Sequence, residues 1–199
     1  MRIYKLNLDV DNYESCFIEG TNVSKDCFDN LCIATSLDFE YETVRFRYSD
    51  KDDKKRGDVL HCWDFCGYLI NDKLYSLLSS KRTIKAQYIK LQENFILINN
   101  LFVIDCLDNE KTEYEYFEKD IIGVEKYSFK QLDYPPLFQI TLPNGYVELF
   151  YFVTDEFIKI INDNNIKGFL FEEVWDSEKV KSGGEDEQRR TRKFYYITL

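Results

Sequence analysis

A dense run of carboxylates between positions 105 and 120 is the part of this sequence best suited to chemistry, because carboxylates either transfer protons or attract a basic partner. In a β-strand, Glu113 and Glu115 lie on one face, with Tyr114 and Tyr116 on the other. A charged face of this kind is usually just solvated, and we expect one of the two sets to face the core. The alternative is a binding surface for a basic protein, to which aromatic side chains add contact area. The predicted contact residues are Asp108, Glu110, Glu113, Glu115, Glu118 and Asp120.

Few other residues have the type and spacing that catalysis or ligand binding requires. His61 is the only histidine, and no serine or cysteine lies in a nucleophile-elbow motif. Gly183 and Gly184 follow no strand pattern and open no helix, so they do not form a phosphate-binding loop. His61, Cys62 and Cys66 form a loose cluster, but no second ligand pair follows at zinc-finger spacing. We therefore predict no catalytic residue, no cofactor and no metal site.

Composition and charge restrict the class of protein. The chain is 31% charged and 44% hydrophobic, which is typical of a soluble folded protein. Its net charge of −10 opposes non-specific nucleic-acid binding. The acidity alone is typical of a protein that it merely keeps soluble, and the alternative is that it favours a basic protein partner. The basic run at 189–193 is short and follows an acidic loop, so we interpret it as solvated. The sequence has neither an apolar run of about 18 residues nor a signal peptide, which predicts a cytoplasmic protein, away from membranes, with free thiols.

Among the elements that must position these residues is a helix-then-strand unit, whose pattern occurs twice, at 70–91 and 153–174. Each copy reads as a capped helix followed by a strand, with Thr154 placed to cap the second helix next to Asp155 and Glu156. Apolar residues recur at helical spacing on one face of each helix: Leu74, Leu77 and Leu78 in the first, and Phe157, Ile160 and Ile161 in the second. Two related copies indicate an internal duplication rather than a solenoid, which needs about three repeats.

The remainder of the chain is predicted to be rich in strands. Aromatic residues make up 17% of the chain and pack well on pleated surfaces. Predicted strands lie at 3–8, 32–35, 42–48, 84–91, 95–106, 112–117, 121–129 and 193–199, and a hairpin joins 138–142 to 147–153 through a turn at 143–145. No linker is evident. We therefore predict one domain over residues 1–199, of the α+β class, with mostly antiparallel sheets and two short helices in the duplicated helix-strand unit.

Two stretches resemble the motifs of a known family. The first is Asp105-Cys106-Leu107-Asp108, which follows an apolar strand and precedes Glu110-Lys111-Thr112, where the family usually has Ser in place of Thr. The second is Gly168-Phe169-Leu170-Phe171-Glu172-Glu173-Val174-Trp175, which follows a helix. In this order the two stretches are similar to the motifs of a group of immunity proteins from bacterial polymorphic-toxin loci, a group first described as an uncharacterised domain. The resemblance spans residues 59–175.

The resemblance implies a cytosolic protein that binds and blocks a cognate toxin, and it brings no catalytic residues. It also implies structural roles for the motif, with Asp105 and Asp108 holding a turn and Phe171 and Trp175 filling the core. Two alternatives stay open: a small enzyme that uses carboxylates such as Glu113 or Asp105, and a scaffold or phage-related interaction module. The identity of the toxin and the oligomeric state are also left open by the sequence.

Overall fold

The path of the chain is taken from a computed structural model, which describes residues 1–20, 34–37, 44–48, 54–64, 67–91, 94–181 and 194–195. Several sequence predictions fall outside these residues. They are most of the strands predicted at 32–35 and 193–199, the first two residues of the strand predicted at 42–48, Cys66, the Gly183–Gly184 pair and the basic run at 189–193.

Strands dominate the described part of the chain. The first half contains β1 (Arg2–Leu8), β2 (Ser15–Gly20), β3 (Arg45–Tyr48), β4 (Val59–Cys62), β5 (Tyr68–Ile70), α1 (Asp72–Ser79), β6 (Ala86–Lys90) and β7 (Ile96–Asn100). The second half contains β8 (Val103–Ile104), β9 (Glu113–Phe117), β10 (Asp120–Lys126), β11 (Leu137–Ile140), β12 (Tyr151–Thr154), α2 (Asp155–Asp163), β13 (Phe169–Asp176), α3 (Ser177–Lys181) and β14 (Phe194–Tyr195). The predicted α+β class is confirmed, and α3 is an element that the sequence did not predict.

The strands form two six-stranded sheets and one hairpin. The first sheet has the order β14-β13-β1-β12-β11-β8, and the second has the order β3-β2-β4-β5-β7-β6. Among the strands that the structure describes, all pairings are antiparallel except those of β11 with β8 and of β2 with β4, so the predicted mostly antiparallel arrangement is confirmed. The third sheet consists of β9 and β10.

The two copies of the helix-strand pattern, at 70–91 and 153–174, follow the same path through the sheets. In the first, β5, α1 and β6 succeed one another, and β7 lies between β5 and β6. In the second, β12, α2 and β13 succeed one another, and β1 lies between β12 and β13. Because each flanking strand is antiparallel to the strand between them, the strands before and after each helix run in the same direction.

The two helices begin differently. The side chain of Asn71 accepts a hydrogen bond from the backbone N–H of Leu74 at 2.9 Å, which caps α1. Thr154 occupies the same position before α2 but makes no side-chain capping bond, so this part of the prediction is wrong. The carboxylate of Asp155 binds other elements, accepting from the backbone N–H of Arg2 and the hydroxyl of Tyr4, each at 3.1 Å. These bonds to β1 hold the first turn of α2 against the sheet.

Three apolar clusters account for the core. The first lies between the two large sheets and includes both long helices, through residues such as Leu74 and Phe157. The second covers the other face of the second sheet. The third covers the other face of the first sheet, because residues of β1 and β12 alternate between clusters: Ile3 and Phe152 belong to the third, and Tyr4 and Val153 to the first.

Candidate functional site

The predicted contact residues lie in the long connection from β8 to β11, which covers the third cluster. The backbone N–H of Asp108 donates to the carbonyl of Ser128 at 2.8 Å, which closes the base of this connection. From there β9 and β10 pair antiparallel, from Glu113 opposite Lys126 to Phe117 opposite Asp120. The side chains that attach the hairpin to the third cluster are Tyr114, Ile121 and Val124. The hairpin is therefore anchored at its base and along one face.

Asp108 differs from the other five predicted contact residues because it holds a turn. Its Oδ1 accepts the backbone N–H of Glu110 at 3.3 Å, and its carbonyl accepts those of Lys111 and Thr112 at 3.0 and 2.9 Å. The hydrogen bond from the Lys111 ammonium, 3.0 Å from Asp108 Oδ2, lowers the pKa of the Asp108 carboxyl. The other five side chains are exposed: Glu110, Glu113, Glu115, Glu118 and Asp120.

The hairpin places Glu113 and Glu115 on one face, with lysines nearby that offset part of their charge. Glu113 Oε1 lies 3.3 Å from Lys126 Nζ. The Glu115 carboxylate lies beside Gly123, where an added Cβ would come within 3.3 Å of Glu115 Oε2. Residues 105–130 contain eight carboxylates and four lysines, so this region keeps a net negative charge.

The expectation that one set of alternating side chains faces the core is wrong for the outer half of β9. Tyr114 is half-buried against the third cluster, but Tyr116 is 59% exposed although it lies on the same face. Phe117, at the end of the strand, is 67% exposed. The reason is that the third cluster ends beneath Tyr114, whereas the hairpin continues past it without pairing to another strand of the described chain.

Large apolar side chains are exposed on this hairpin and on the segment between β11 and β12. The turn that carries Tyr146 is joined to β10 by a hydrogen bond from Asn144 Nδ2 to the carbonyl of Ile121 at 2.8 Å. Tyr146 is 70% exposed, and Leu149 and Phe150 further along are 53% and 39% exposed. We call the following six residues the apolar patch: Tyr116, Phe117, Ile122, Tyr146, Leu149 and Phe150.

Sequence reasoning missed the second half of this patch. It predicted a strand over 147–153, in which alternate residues would be buried, whereas β12 begins at Tyr151 and the pair Thr141–Val147 forms an isolated bridge. Leu149 and Phe150 therefore leave the sheet and turn toward solvent. The only local signal was Pro143-Asn144-Gly145, which correctly marks the turn but not the extent of the strand after it.

Glu148 is a second residue that the sequence did not single out. It lies in the same irregular segment, yet it is 7% exposed, and its Oε2 has no hydrogen-bond partner. Burial raises the pKa of this carboxyl, the Lys5 ammonium opposes the rise, and the Glu115 carboxylate adds to it. The carboxylate face of the hairpin thus has a buried acid close to it.

Other groups that could do chemistry are spread over the fold. Burial lowers the pKa of His61, whose ring lies 4.4 Å from that of Trp63, edge to face. Burial raises the pKa of the Cys106 thiol to about 12, so this thiol stays protonated and unreactive at neutral pH. Cys62 and Cys106 are free, buried thiols, and Cys16 is buried as well. Among the residues that the structure describes, no three His, Cys, Asp or Glu side chains are placed to hold a metal ion.

A cavity of about 500 Å³ opens at the start of α1, remote in sequence from the hairpin. Two carboxylate residues, Asp58 and Asp72, line it. Asp58 accepts hydrogen bonds from Asn71 Nδ2 and from the backbone N–H of Lys167, both at 2.8 Å, and lies 3.7 Å from Lys73 Nζ. Asp58 therefore ties the start of α1 to the connection between α2 and β13. With its oxygens bonded in this way, Asp58 serves the fold rather than a reaction.

The two motifs of the resemblance lie mainly in the core. Cys106 is buried in the third cluster, as is Trp175, and Phe171 is buried in the first. Asp108 holds a turn as the resemblance implies, whereas the exposed Asp105 instead pairs with Lys130, with 3.2 Å between Oδ1 and Nζ. The motif residues therefore support the face on which the hairpin rests.

Comparison with known proteins adds no family to these observations. No protein-family model matches the chain, and no curated protein matches it either. Within the described residues, none of the helices has the length and apolar character needed to cross a membrane.

Proposed function

We propose that this protein is an immunity protein, which binds a cognate toxin in the cytoplasm and neutralises it by direct contact. The observation that carries the proposal is the apolar patch, whose members remain 39% to 70% exposed while three other apolar clusters are buried. Grouped apolar side chains on a protein surface commonly mark a site of interaction. The two sequence motifs that resemble immunity proteins support the same function.

The proposed partner is a basic protein. Exposed carboxylates surround the hairpin part of the patch: Glu113, Glu115, Glu118, Asp120 and Glu125. Such a distribution speeds encounter with a basic partner and orients it, while the aromatic side chains provide contact area at short range. The net charge of −10 works against nucleic acid as the target.

The proposed mode of action is occlusion rather than catalysis. Cys106 is a protonated, buried thiol, and Asp58 is committed to structural hydrogen bonds. The exposed carboxylates of the hairpin lie on a projecting strand pair rather than in a cleft, which enzymes use to surround their substrates. A projecting hairpin with aromatic residues at its tip instead suits insertion into, or coverage of, a site on another protein.

Co-expression with the toxin of the neighbouring gene tests this function. The toxin alone should stop growth, and this protein should restore growth and co-elute with the toxin from a sizing column. Replacing Phe117 and Tyr146 together by Ser should weaken the complex at least tenfold, because exposed aromatics at an interface commonly contribute about 1–2 kcal/mol each. Trp63→Ser, at a 53% exposed aromatic on the second sheet, is the matched control and should bind normally. Absence of both rescue and complex with the wild-type chain would exclude the proposal.

A further inference from the structure

The hairpin of β9 and β10 has two strands, and the described residues outside it bond to the backbone of only one of them. The turn at 143–146 lies against β10, where Asn144 Nδ2 donates to the carbonyl of Ile121 at 2.8 Å. By contrast, no backbone group of β9 bonds to a described residue outside the hairpin. In an antiparallel pair, every second residue of a strand directs its N–H and carbonyl away from the partner strand. The outer edge of β9 therefore presents backbone donors and acceptors to which another strand can bond.

The side chains of β9 are exposed along nearly the whole strand. Glu113, Glu115 and Phe117 share one face, and all three are exposed. On the other face, Tyr116 is exposed and only Tyr114 packs against the third cluster. The strand is thus anchored to the core by one side chain. The rest of it is accessible to a partner that approaches from solvent.

A second copy of this chain is a poor occupant of the edge, because the carboxylates of β9 would repel their own copies. In a symmetric antiparallel pairing centred on Glu115, this residue would lie opposite Glu115 of the other copy. In a pairing centred on Tyr114, Glu115 would lie opposite Glu113 of the other copy. Like charges placed directly opposite each other on adjacent strands are destabilising. The same carboxylates that oppose self-association would favour a strand of the opposite charge.

We propose that the outer edge of β9 pairs with an extended segment of the toxin that carries lysine or arginine at alternate positions. This inference rests on the proposed function and names how the toxin is recognised. The backbone of the segment would bond to that of β9, which is how many proteins add a strand to an exposed sheet edge. Its cationic side chains would lie opposite Glu113 and Glu115, and an apolar side chain would lie opposite Tyr116. Opposite charges and aromatic pairs of this kind stabilise adjacent strands.

The charges along β9 favour a cationic strand over a neutral one. Residues 113–118 contain three carboxylates and no lysine or arginine. Among the described residues, the one ion pair that these carboxylates form joins Glu113 to Lys126, at 3.3 Å. A cationic strand would offset the remaining charge of Glu115 and Glu118. It would also extend the hairpin to three strands, and sheets of three or more strands are more stable than an isolated pair.

The first test measures amide hydrogen exchange by NMR on the full chain, alone and with the toxin of the neighbouring gene. Alternate amides of β9 should exchange about tenfold more slowly in the complex, because each would gain a hydrogen bond to the added strand. The amides of β12, which is already paired on both sides, are the control and should exchange as they do without the toxin. Unchanged exchange of the β9 amides in a complex that forms and neutralises the toxin would overturn the edge pairing and leave the proposed function standing.

The second test replaces the toxin by the peptide acetyl-Lys-Val-Lys-Val-Lys-amide. This peptide should slow the β9 amides saturably, with a dissociation constant in the millimolar range. The same peptide N-methylated at every residue cannot donate backbone hydrogen bonds and should not slow them. A peptide with Glu in place of Lys should bind about tenfold more weakly, because its charges would lie opposite like charges. The double variant with Glu113→Lys and Glu115→Lys should reverse the preference between the two charged peptides.

The two tests separate the edge pairing from the wider function. Where the toxin binds, exchange in its complex decides the edge pairing. Where the toxin is neither bound nor neutralised, the proposed function fails, and the peptides decide whether β9 is an edge for cationic strands. In that case, β9 amides that are not slowed, or that are slowed equally by the N-methylated peptide, would overturn the pairing. A chain that elutes as a dimer with its β9 amides already slowed would show that a second copy occupies the edge, and the proposal would be wrong.

Discussion

Replacing Gly168 by Ala should destabilise this protein strongly, because two independent constraints meet at that residue. Its φ is +107°, a backbone conformation that residues with a Cβ rarely adopt. An added Cβ would also lie 2.8 Å from Val59 Cγ1 and 3.1 Å from the Val59 carbonyl oxygen. A strained backbone costs about 1–3 kcal/mol and overpacking costs a similar amount, so the expected loss is about 2–6 kcal/mol.

The surrounding contacts leave the loop little room to relax. The carbonyl of Gly168 accepts the backbone N–H of Asp9 at 2.9 Å. The neighbouring Lys167 accepts the backbone N–H of Asp58 at 2.9 Å and donates its own to Asp58 Oδ2 at 2.8 Å. Because these bonds tie the connection before β13 to both β1 and β4, a shift that relieves the clash with Val59 would break them.

Equilibrium unfolding in urea, followed by the fluorescence of the buried Trp175, measures the effect. Gly145→Ala is the matched control, since its φ is +84° but nothing lies within 4 Å of the added Cβ, so it should lose only about 1–2 kcal/mol. Gly20→Ala has neither constraint and should leave the free energy of unfolding nearly unchanged. Combining Gly168→Ala with Val59→Ala should cost less than the sum of the two, by about 1 kcal/mol. A loss for Gly168→Ala no greater than that for Gly145→Ala would refute the reasoning.

Three further predictions concern the hairpin, the contact between the sheets, and the buried acid. Reversing both charges of β9, with Glu113→Lys and Glu115→Lys, should slow association with a basic toxin about tenfold at low salt, measured by stopped flow, and leave the melting temperature nearly unchanged. Tyr151→Phe should cost about 1–2 kcal/mol in urea unfolding, because the Tyr151 hydroxyl accepts the backbone N–H of Asn100 at 3.2 Å in the core. Glu148→Gln should raise the melting temperature at about pH 8, with a difference from wild type that shrinks toward about pH 4.

The sign of the Glu148 prediction follows from its raised pKa. When the pKa of a group is higher in the folded state than in the unfolded state, the group stabilises the fold fully at pH values below its unfolded-state pKa. This stabilisation is lost as the pH rises through the folded-state pKa. The charged form therefore opposes folding at neutral pH, and glutamine removes that penalty. A pH-independent difference in melting temperature would contradict this account. For the double variant with Glu113→Lys and Glu115→Lys, unchanged association kinetics would be the contrary result. For Tyr151→Phe, it would be a stability equal to that of the exposed control Tyr116→Phe.

Local signals in the sequence were enough to find both long helices and the strands after them. Asn71 caps α1 through its own side chain, and the apolar spacing that includes Leu74 and Phe157 sets the buried face of each helix. The path of the chain between these units was not accessible, because β1 enters the first sheet between β12 and β13 through pairings more than a hundred residues apart. No local pattern specifies which strand fills that position.

The candidate site was predicted only in part, because the exposure of a side chain, like the order of strands, depends on distant parts of the chain. The sequence places the carboxylates and tyrosines of β9 correctly on opposite faces, since alternation is a local property. It does not reveal where the third cluster ends, so the exposure of Tyr116 was missed. It also does not reveal that Glu148, in a segment that reads as a strand, is buried, because burial of a charge depends on distant elements.

The separation between supporting residues and surface residues has a consequence for specificity. Cys106 and Trp175, from the two motifs, are buried in the cluster on which the hairpin rests, whereas Phe117 and Tyr146 are exposed above it. Substitutions at the exposed positions therefore change the surface without disturbing the core. On the proposed function, we expect proteins that share the motifs but bind other toxins to differ mainly in β9, β10 and the turn at Tyr146. Exchanging this hairpin and turn between two such proteins should transfer protection from one toxin to the other in a growth assay, whereas transfer by the core residues alone would contradict the argument.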